Sequence, residues 1–116
     1  MKKGSAIITG LIVMLFTLGI QAEDNYMGTY LRENGETVNV RLVGDKLFCT
    51  IVSNKFEMCN GMRKVNATTY KGAKMKHPMF SLKDFDGTVI FSASGLSIEG
   101  CAMFGSVCDK ETWKKK

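Results

Sequence analysis

After the first 22 residues the sequence is a series of short runs rich in Val, Ile, Thr, Phe and Tyr, separated by Gly, Asn and Asp, and no segment has sustained helical periodicity. In the clearest run, Val38, Val40 and Leu42 alternate with polar residues and so share one face of a strand. The Asn34-Gly35 pair before it provides the positive φ of a tight hairpin. This pattern predicts an antiparallel all-β domain.

About eight such runs occur, at intervals typical of a β-barrel or a β-sandwich. They cover residues 27–32, 37–42, 46–52, 73–77, 79–83, 88–93, 96–102 and 107–113. Residues 53–69 are predicted to be mostly loop, and Asp86-Gly87 is predicted to be a turn. Because closure removes exposed strand edges, we predict a small antiparallel meander that closes into a β-barrel of about eight strands. Its interior is either filled by side chains or holds one small ligand.

The N-terminus has the residue order of a secretory signal peptide: Lys2 and Lys3, an uncharged apolar stretch over residues 6–20, and a small residue at the cut. A membrane anchor is the alternative, but a stretch of about 15 residues is shorter than the roughly 20 that a spanning helix needs. We therefore expect a cleaved, bacterial-type signal at residues 1–22 and a single domain at residues 23–116. The expected product has no stable membrane span and is periplasmic or secreted.

Four cysteines, an even number, occur in this short chain with an expected export signal, and they predict two disulfide bonds. They are Cys49, Cys59, Cys101 and Cys108. Zinc is a weaker alternative, because the spacings are not those of zinc knuckles and the single histidine is distant in sequence. Three connectivities are open. Pairing each cysteine with its nearest neighbour is favoured, because it joins adjacent strands or hairpin arms.

The charge of the chain gives little reason to expect a nucleic-acid partner. The formal net charge of +5 falls to +3 once Lys2 and Lys3 leave with the signal, and the three lysines at residues 114–116 account for that remainder. A short lysine tail is more often a solvated end than a nucleic-acid-binding arm.

No catalytic or metal-binding set is visible in the sequence. His77 is the single histidine and has no acidic neighbour in sequence, so the sequence shows no nucleophile with a base and an orienting group beside it, and an exposed or strand-end histidine is expected. Asp84 and Asp86 lack the further ligands of a calcium loop and are assigned to turn chemistry. We therefore expect a non-enzymatic protein without a cofactor.

The methionines and aromatic residues of the domain are candidates either for core filling or for the lining of an adaptable apolar pocket. The candidate lining residues are Met75, Met79, Phe91, Met103 and Trp113. The leading hypothesis is a binder of a small apolar ligand or an accessory module of the cell envelope. The alternative is an interaction or inhibitor module that presents residues 56–64 or 102–106 to an envelope protein partner.

Several segments, in order, resemble a bacterial exported family called domain of unknown function 2147. The matching segments are Gly28-Thr29-Tyr30, Asn34-Gly35, residues 44–52, residues 72–78, Gly100-Cys101, Cys108 and Thr112-Trp113. The sequence departs from the family pattern at His77, where the family tends to have Asp, and at Glu99, where it tends to have Arg. The resemblance implies an exported, lipocalin-like or related β-barrel and no particular biochemical activity.

Overall fold

The computed structural model describes residues 26–116, apart from the side chains of Ser81 and Leu82, so the predicted signal at residues 1–22 lies outside the described residues. The described chain is all-β, as predicted. Its eight strands are β1 (Gly28–Leu31), β2 (Thr37–Val43), β3 (Lys46–Ile51), β4 (Met62–Asn66), β5 (Thr69–His77), β6 (Phe80–Phe91), β7 (Gly95–Ala102) and β8 (Val107–Lys115). Within residues 26–116 no helix is long and apolar enough to cross a membrane.

The strands form a closed antiparallel barrel in which each pairs with the next along the chain, so the predicted closure into about eight strands is confirmed. The barrel closes where β1 pairs with β8, with Tyr30 opposite Lys115 and Leu31 opposite Lys114. Tyr30 and Trp113 are both fully buried next to this seam. The first and last strands therefore meet around the same aromatic core.

One local prediction was incomplete and another was wrong. Most of residues 53–69 lie outside the strands, as predicted, but the segment contains β4, and Met58 and Gly61 donate backbone hydrogen bonds to β3. Asp86-Gly87 is not a turn, because β6 runs through it without interruption. Gly87 pairs with a residue of β5 on one side and with a residue of β7 on the other. Backbone pairing on both sides satisfies the polar groups that a turn would have exposed.

Both disulfides connect sequence neighbours, which is the pairing favoured from the sequence. Cys49–Cys59 ties β3 to the segment before β4, and Cys101–Cys108 joins β7 to β8. The two bonds differ in burial. Cys49 and Cys59 are 0% and 1% exposed, whereas Cys108 is exposed at the end of its hairpin.

One end of the barrel is packed and the other is open. The β5–β6 and β7–β8 turns lie at the same end, because successive antiparallel strands reverse direction. Alternate residues of β8 face the interior, and the two nearest that end are much more exposed than the two farther from it: Val107 51% and Asp109 64%, against Glu111 15% and Trp113 0%. Inward-facing side chains that solvent reaches indicate an unfilled space inside the barrel.

Candidate functional site

A cavity of about 400 Å³ occupies the open end of the barrel, between the β5–β6 and β7–β8 hairpins. Most of its surface is apolar. The main apolar contributors are Met58, Met75, Met79, Phe80, Phe85 and Ile98. Met58 comes from the segment that the Cys49–Cys59 disulfide holds against β3. With further lining residues on β5, β6, β7 and β8, the cavity is shaped by five separate parts of the barrel.

Three glycines, one on each of three neighbouring strands, lie side by side next to the cavity. Gly72 pairs with Gly87, and Gly87 pairs with Gly100. A Cβ atom on Gly87 would lie 2.4 Å from the sulfur of Met75, and one on Gly100 would lie 3.2 Å from it. Because these positions carry no side chain, the thioether of Met75 has room to lie across the sheet. The space over Gly87 and Gly100 is thus occupied by the side chain of Met75, and the space over Gly72 by that of Met62.

The polar wall of the cavity consists of His77 on β5 and two acidic residues on β8. Nε2 of His77 lies 3.3 Å from Oδ2 of Asp109 and 4.0 Å from Oε2 of Glu111. Nδ1 of His77 accepts a hydrogen bond from the backbone N–H of Met79 at 3.1 Å. That hydrogen bond needs a lone pair on Nδ1, so the proton of the neutral ring is on Nε2 and faces the carboxylates.

Three hydrogen bonds hold the carboxylate of Glu111 in place. Arg32 donates from Nε to Oε1 at 3.0 Å and from Nη2 to Oε2 at 2.7 Å, and the indole N–H of Trp113 donates to Oε1 at 2.8 Å. Burial alone would raise the pKa of the Glu111 carboxyl. The hydrogen bonds from Arg32 and Trp113, together with the charges of Arg32 and His77, outweigh burial and hold that pKa below its ordinary value. Glu111 is therefore a fixed, ionised carboxylate.

His77, Asp109 and Glu111 bring one nitrogen and two carboxylate oxygens within 4.8 Å of one another, which is close enough to enclose a cation. Two features of the geometry disfavour a metal ion there. A histidine that binds metal through Nε2 usually donates a hydrogen bond from Nδ1, but Nδ1 of His77 accepts one. Both oxygens of Glu111 are also engaged by Arg32. The cluster is better suited to hydrogen bonding and charge than to metal coordination.

The five candidate pocket residues from the sequence lie in three places. Met75 and Met79 line the cavity. Phe91 and Trp113, 2% and 0% exposed, belong to the packed core toward the other end. Met103 lies on the β7–β8 turn and is 61% exposed.

The two segments considered for partner binding also differ from each other. Residues 56–64 lie along β3 and β5 rather than projecting from the barrel, with Met58 and Cys59 buried. Residues 102–106 form the β7–β8 turn, where Met103 and Phe104 have positive φ and Phe104 is fully exposed.

Reasoning from the sequence did not identify the polar wall. His77 and Asp109 are far apart in the chain, and antiparallel closure is what brings them together. A signal was present in β8: strand alternation places Val107, Asp109, Glu111 and Trp113 on one face. Acidic residues on the same face as a buried tryptophan indicate either a buried ion pair or an open interior, and this barrel has both.

Comparison with known proteins adds no relative. The chain matches no family model, and searches of curated proteins and of solved structures find no match. The resemblance described above therefore stays a prediction, and the interpretation of the site depends on its geometry.

Proposed function

We propose that this protein is an exported, non-enzymatic β-barrel that binds a small, predominantly apolar ligand in the cavity at its open end. The observation that carries the proposal is the cavity itself, about 400 Å³ in volume and lined mainly by methionine, phenylalanine and isoleucine side chains. Sites for small molecules are typically concave and mostly apolar, with volumes of roughly 300–1,000 Å³ and a few convergent polar groups.

The methionines support ligand binding because of their chemistry. Met58, Met75 and Met79 reach the cavity from three different parts of the chain. The thioether side chain is unbranched and polarisable, so it fits irregular apolar shapes with little strain. Met79 is 79% exposed at the rim and can fold over a bound ligand without leaving a packed position.

The polar wall supports binding rather than catalysis. Among the described residues that line the cavity there is no serine, threonine, cysteine or tyrosine to act as a nucleophile. Glu111 has a lowered pKa and cannot supply a proton as a general acid near neutral pH. His77 and Asp109 alone lack the converging set of groups that a hydrolytic site needs.

Export is supported by the two disulfide bonds and by the residue order of the N-terminus. Both bonds join cysteines within one small domain. Such bonds persist in oxidising compartments and are rare in the cytosol. A periplasmic or secreted location is part of the proposal.

Titration with the neutral fluorescent dye N-phenyl-1-naphthylamine tests the proposal on the purified, oxidised protein. We expect saturable binding with increased fluorescence. In Val107→Trp an indole would fill the mouth of the cavity and weaken binding by about tenfold, or 1.4 kcal/mol. Val43→Trp is the matched control, because Val43 has a similar exposure, 54% against 51% for Val107, but lies outside the cavity. Absence of saturable binding, or equal weakening by both variants, would contradict the proposal.

A further inference from the structure

The charge around the cavity differs in sign from that of the whole chain. The chain carries a formal net charge of +5. The cavity nevertheless has two carboxylates on its wall, from Asp109 and Glu111, and one lysine, Lys76. Nζ of Lys76 already pairs with Asp84, 2.5 Å away. The lining therefore presents negative charge to a ligand.

Asp109 and Glu111 contribute to this charge in different ways. Both oxygens of Glu111 accept hydrogen bonds from Arg32, which also pairs with Glu36, so Glu111 has little hydrogen-bonding capacity left for a further cation. Asp109 has no such partner: among the described residues, the basic group that lies near its carboxylate is the imidazole of His77. In its neutral form that ring supplies a proton donor but no full positive charge. As long as the His77 ring is neutral, the negative charge of Asp109 at the mouth of the cavity has no compensating cation among the described residues.

We infer that the preferred ligand of this cavity is a cationic amphiphile, with an apolar body among the methionine and phenylalanine side chains and an ammonium group beside Asp109. This inference rests on the proposed function. A carboxylate provides about four lone-pair positions, so Asp109 accepts from an ammonium group while still facing His77. A ligand with a carboxylate head would instead place like charges together near the polar wall, which lowers its affinity.

Three ligands with the same chain and different heads test the inference: decylamine, 1-decanol and decanoate. Each is titrated into the oxidised protein by calorimetry near neutral pH and low ionic strength, below the micelle concentration of decylamine and decanoate and below the solubility limit of 1-decanol. We expect decylamine to bind about threefold to fivefold more tightly than 1-decanol, which is the range for a partly exposed ion pair, and decanoate to bind most weakly. Added salt reduces the preference for the amine, because it screens the charge of Asp109.

Two variants locate the effect. Asp109→Asn removes the charge at the mouth, so decylamine and 1-decanol should then bind equally. Asp86→Asn removes one charge from the outer face of the same barrel, since Asp86 is exposed and alternates with the inward-facing Phe85 and Gly87, and it should keep the preference.

The possible results separate this inference from the proposed function. If all three ligands bind without preference for the amine, or if Asp109→Asn keeps the preference, the inference is overturned while apolar binding stands. If none of the three binds, the proposed function fails as well. A preference for the amine that is lost only in Asp109→Asn supports both.

Discussion

Arg32, which directly follows β1, donates two hydrogen bonds to the carboxylate of Glu111 on β8, across the seam of the barrel. β1 and β8 share only two cross-strand residue pairs. Other side chains add to this short backbone ladder: Glu33 accepts a hydrogen bond from the backbone N–H of Thr112 at 2.8 Å, and Nζ of Lys115 donates to the carbonyl of Met27 at 2.9 Å. Closure of the barrel therefore depends on side chains as well as on strand pairing.

Removing the charge of Glu111 should destabilise the barrel. Glu111→Gln leaves the 7%-exposed guanidinium of Arg32 with a weaker acceptor, and we expect a loss of about 2 kcal/mol in the free energy of unfolding. Urea denaturation of the oxidised protein measures this loss. Glu99→Gln is the control, since Glu99 is exposed on β7, and it should change stability by less than about 0.5 kcal/mol. Equal effects of the two substitutions would contradict the role assigned to Glu111.

The lowered pKa of Glu111 also predicts a pH dependence. In the unfolded chain this carboxyl titrates near 4.5, and in the folded barrel it titrates lower. The unfolded state thus binds the proton first as the pH falls. The stabilisation by ionised Glu111 is complete above about pH 4.5 and is lost as the pH falls through the folded pKa. Glu111→Gln should therefore show a shallower loss of stability in acid than the unsubstituted protein. Parallel curves below pH 4.5 would be inconsistent with this.

Tyr30 predicts the opposite behaviour in alkali. Burial, with a smaller contribution from Tyr26, raises the pKa of Tyr30 from 10.0 to about 12, and its hydroxyl donates to the carbonyl of Tyr26 at 2.6 Å. The unfolded state loses its proton first, so stability falls as the pH rises from 10.0 to about 12. Tyr30→Phe should be less stable by about 1 kcal/mol near neutral pH, through loss of the hydrogen bond. Urea midpoints should show this gap closing above pH 10.0, and a gap of constant size would refute the prediction.

The two disulfides should contribute unequally to stability. The cysteine separations of 10 and 7 residues are similar, and closing such loops stabilises by about 2.5 kcal/mol in either case. The Cys49–Cys59 sulfurs are also buried, so replacing both cysteines by alanine leaves a void and adds about 1 kcal/mol or more. Urea unfolding of the two double-alanine variants should therefore rank C49A/C59A as less stable than C101A/C108A. The reverse order would show that burial of this bond contributes little.

The strand number follows from the sequence, although two errors compensate for each other. β4 was missed because Met62 is its one buried residue and its other four side chains are exposed, so it lacks the alternation that marks a half-buried strand. β6 was divided in two because Asp-Gly is typical of turns. Glycine is used both where a chain reverses and where another group approaches it closely, and the sequence does not distinguish these uses.

The cavity could be predicted only in part from the sequence. The methionine content favoured an adaptable apolar lining, and Met75 and Met79 do line the cavity. The division between packed core and open space could not be predicted, since it depends on how far each inward side chain reaches across the closed barrel. His77 and Asp109 come within 3.3 Å only because the barrel closes, and no local pattern encodes that distance.

The glycines beside the cavity lead to a prediction about coupling. Gly87→Ala would place a Cβ 2.4 Å from Sδ and 3.1 Å from Cβ of Met75, so we expect a loss of about 2 kcal/mol from overpacking. Met75→Ala removes that obstacle, and the double variant should be more stable than the sum of the single effects by about 1 kcal/mol or more. Gly72→Ala is the control, because its Cβ would meet Met62 instead, so Met75→Ala should not rescue it. Urea unfolding of all five variants measures the coupling, and additive effects for Gly87 and Met75 would show that the glycine is not needed to accommodate this thioether.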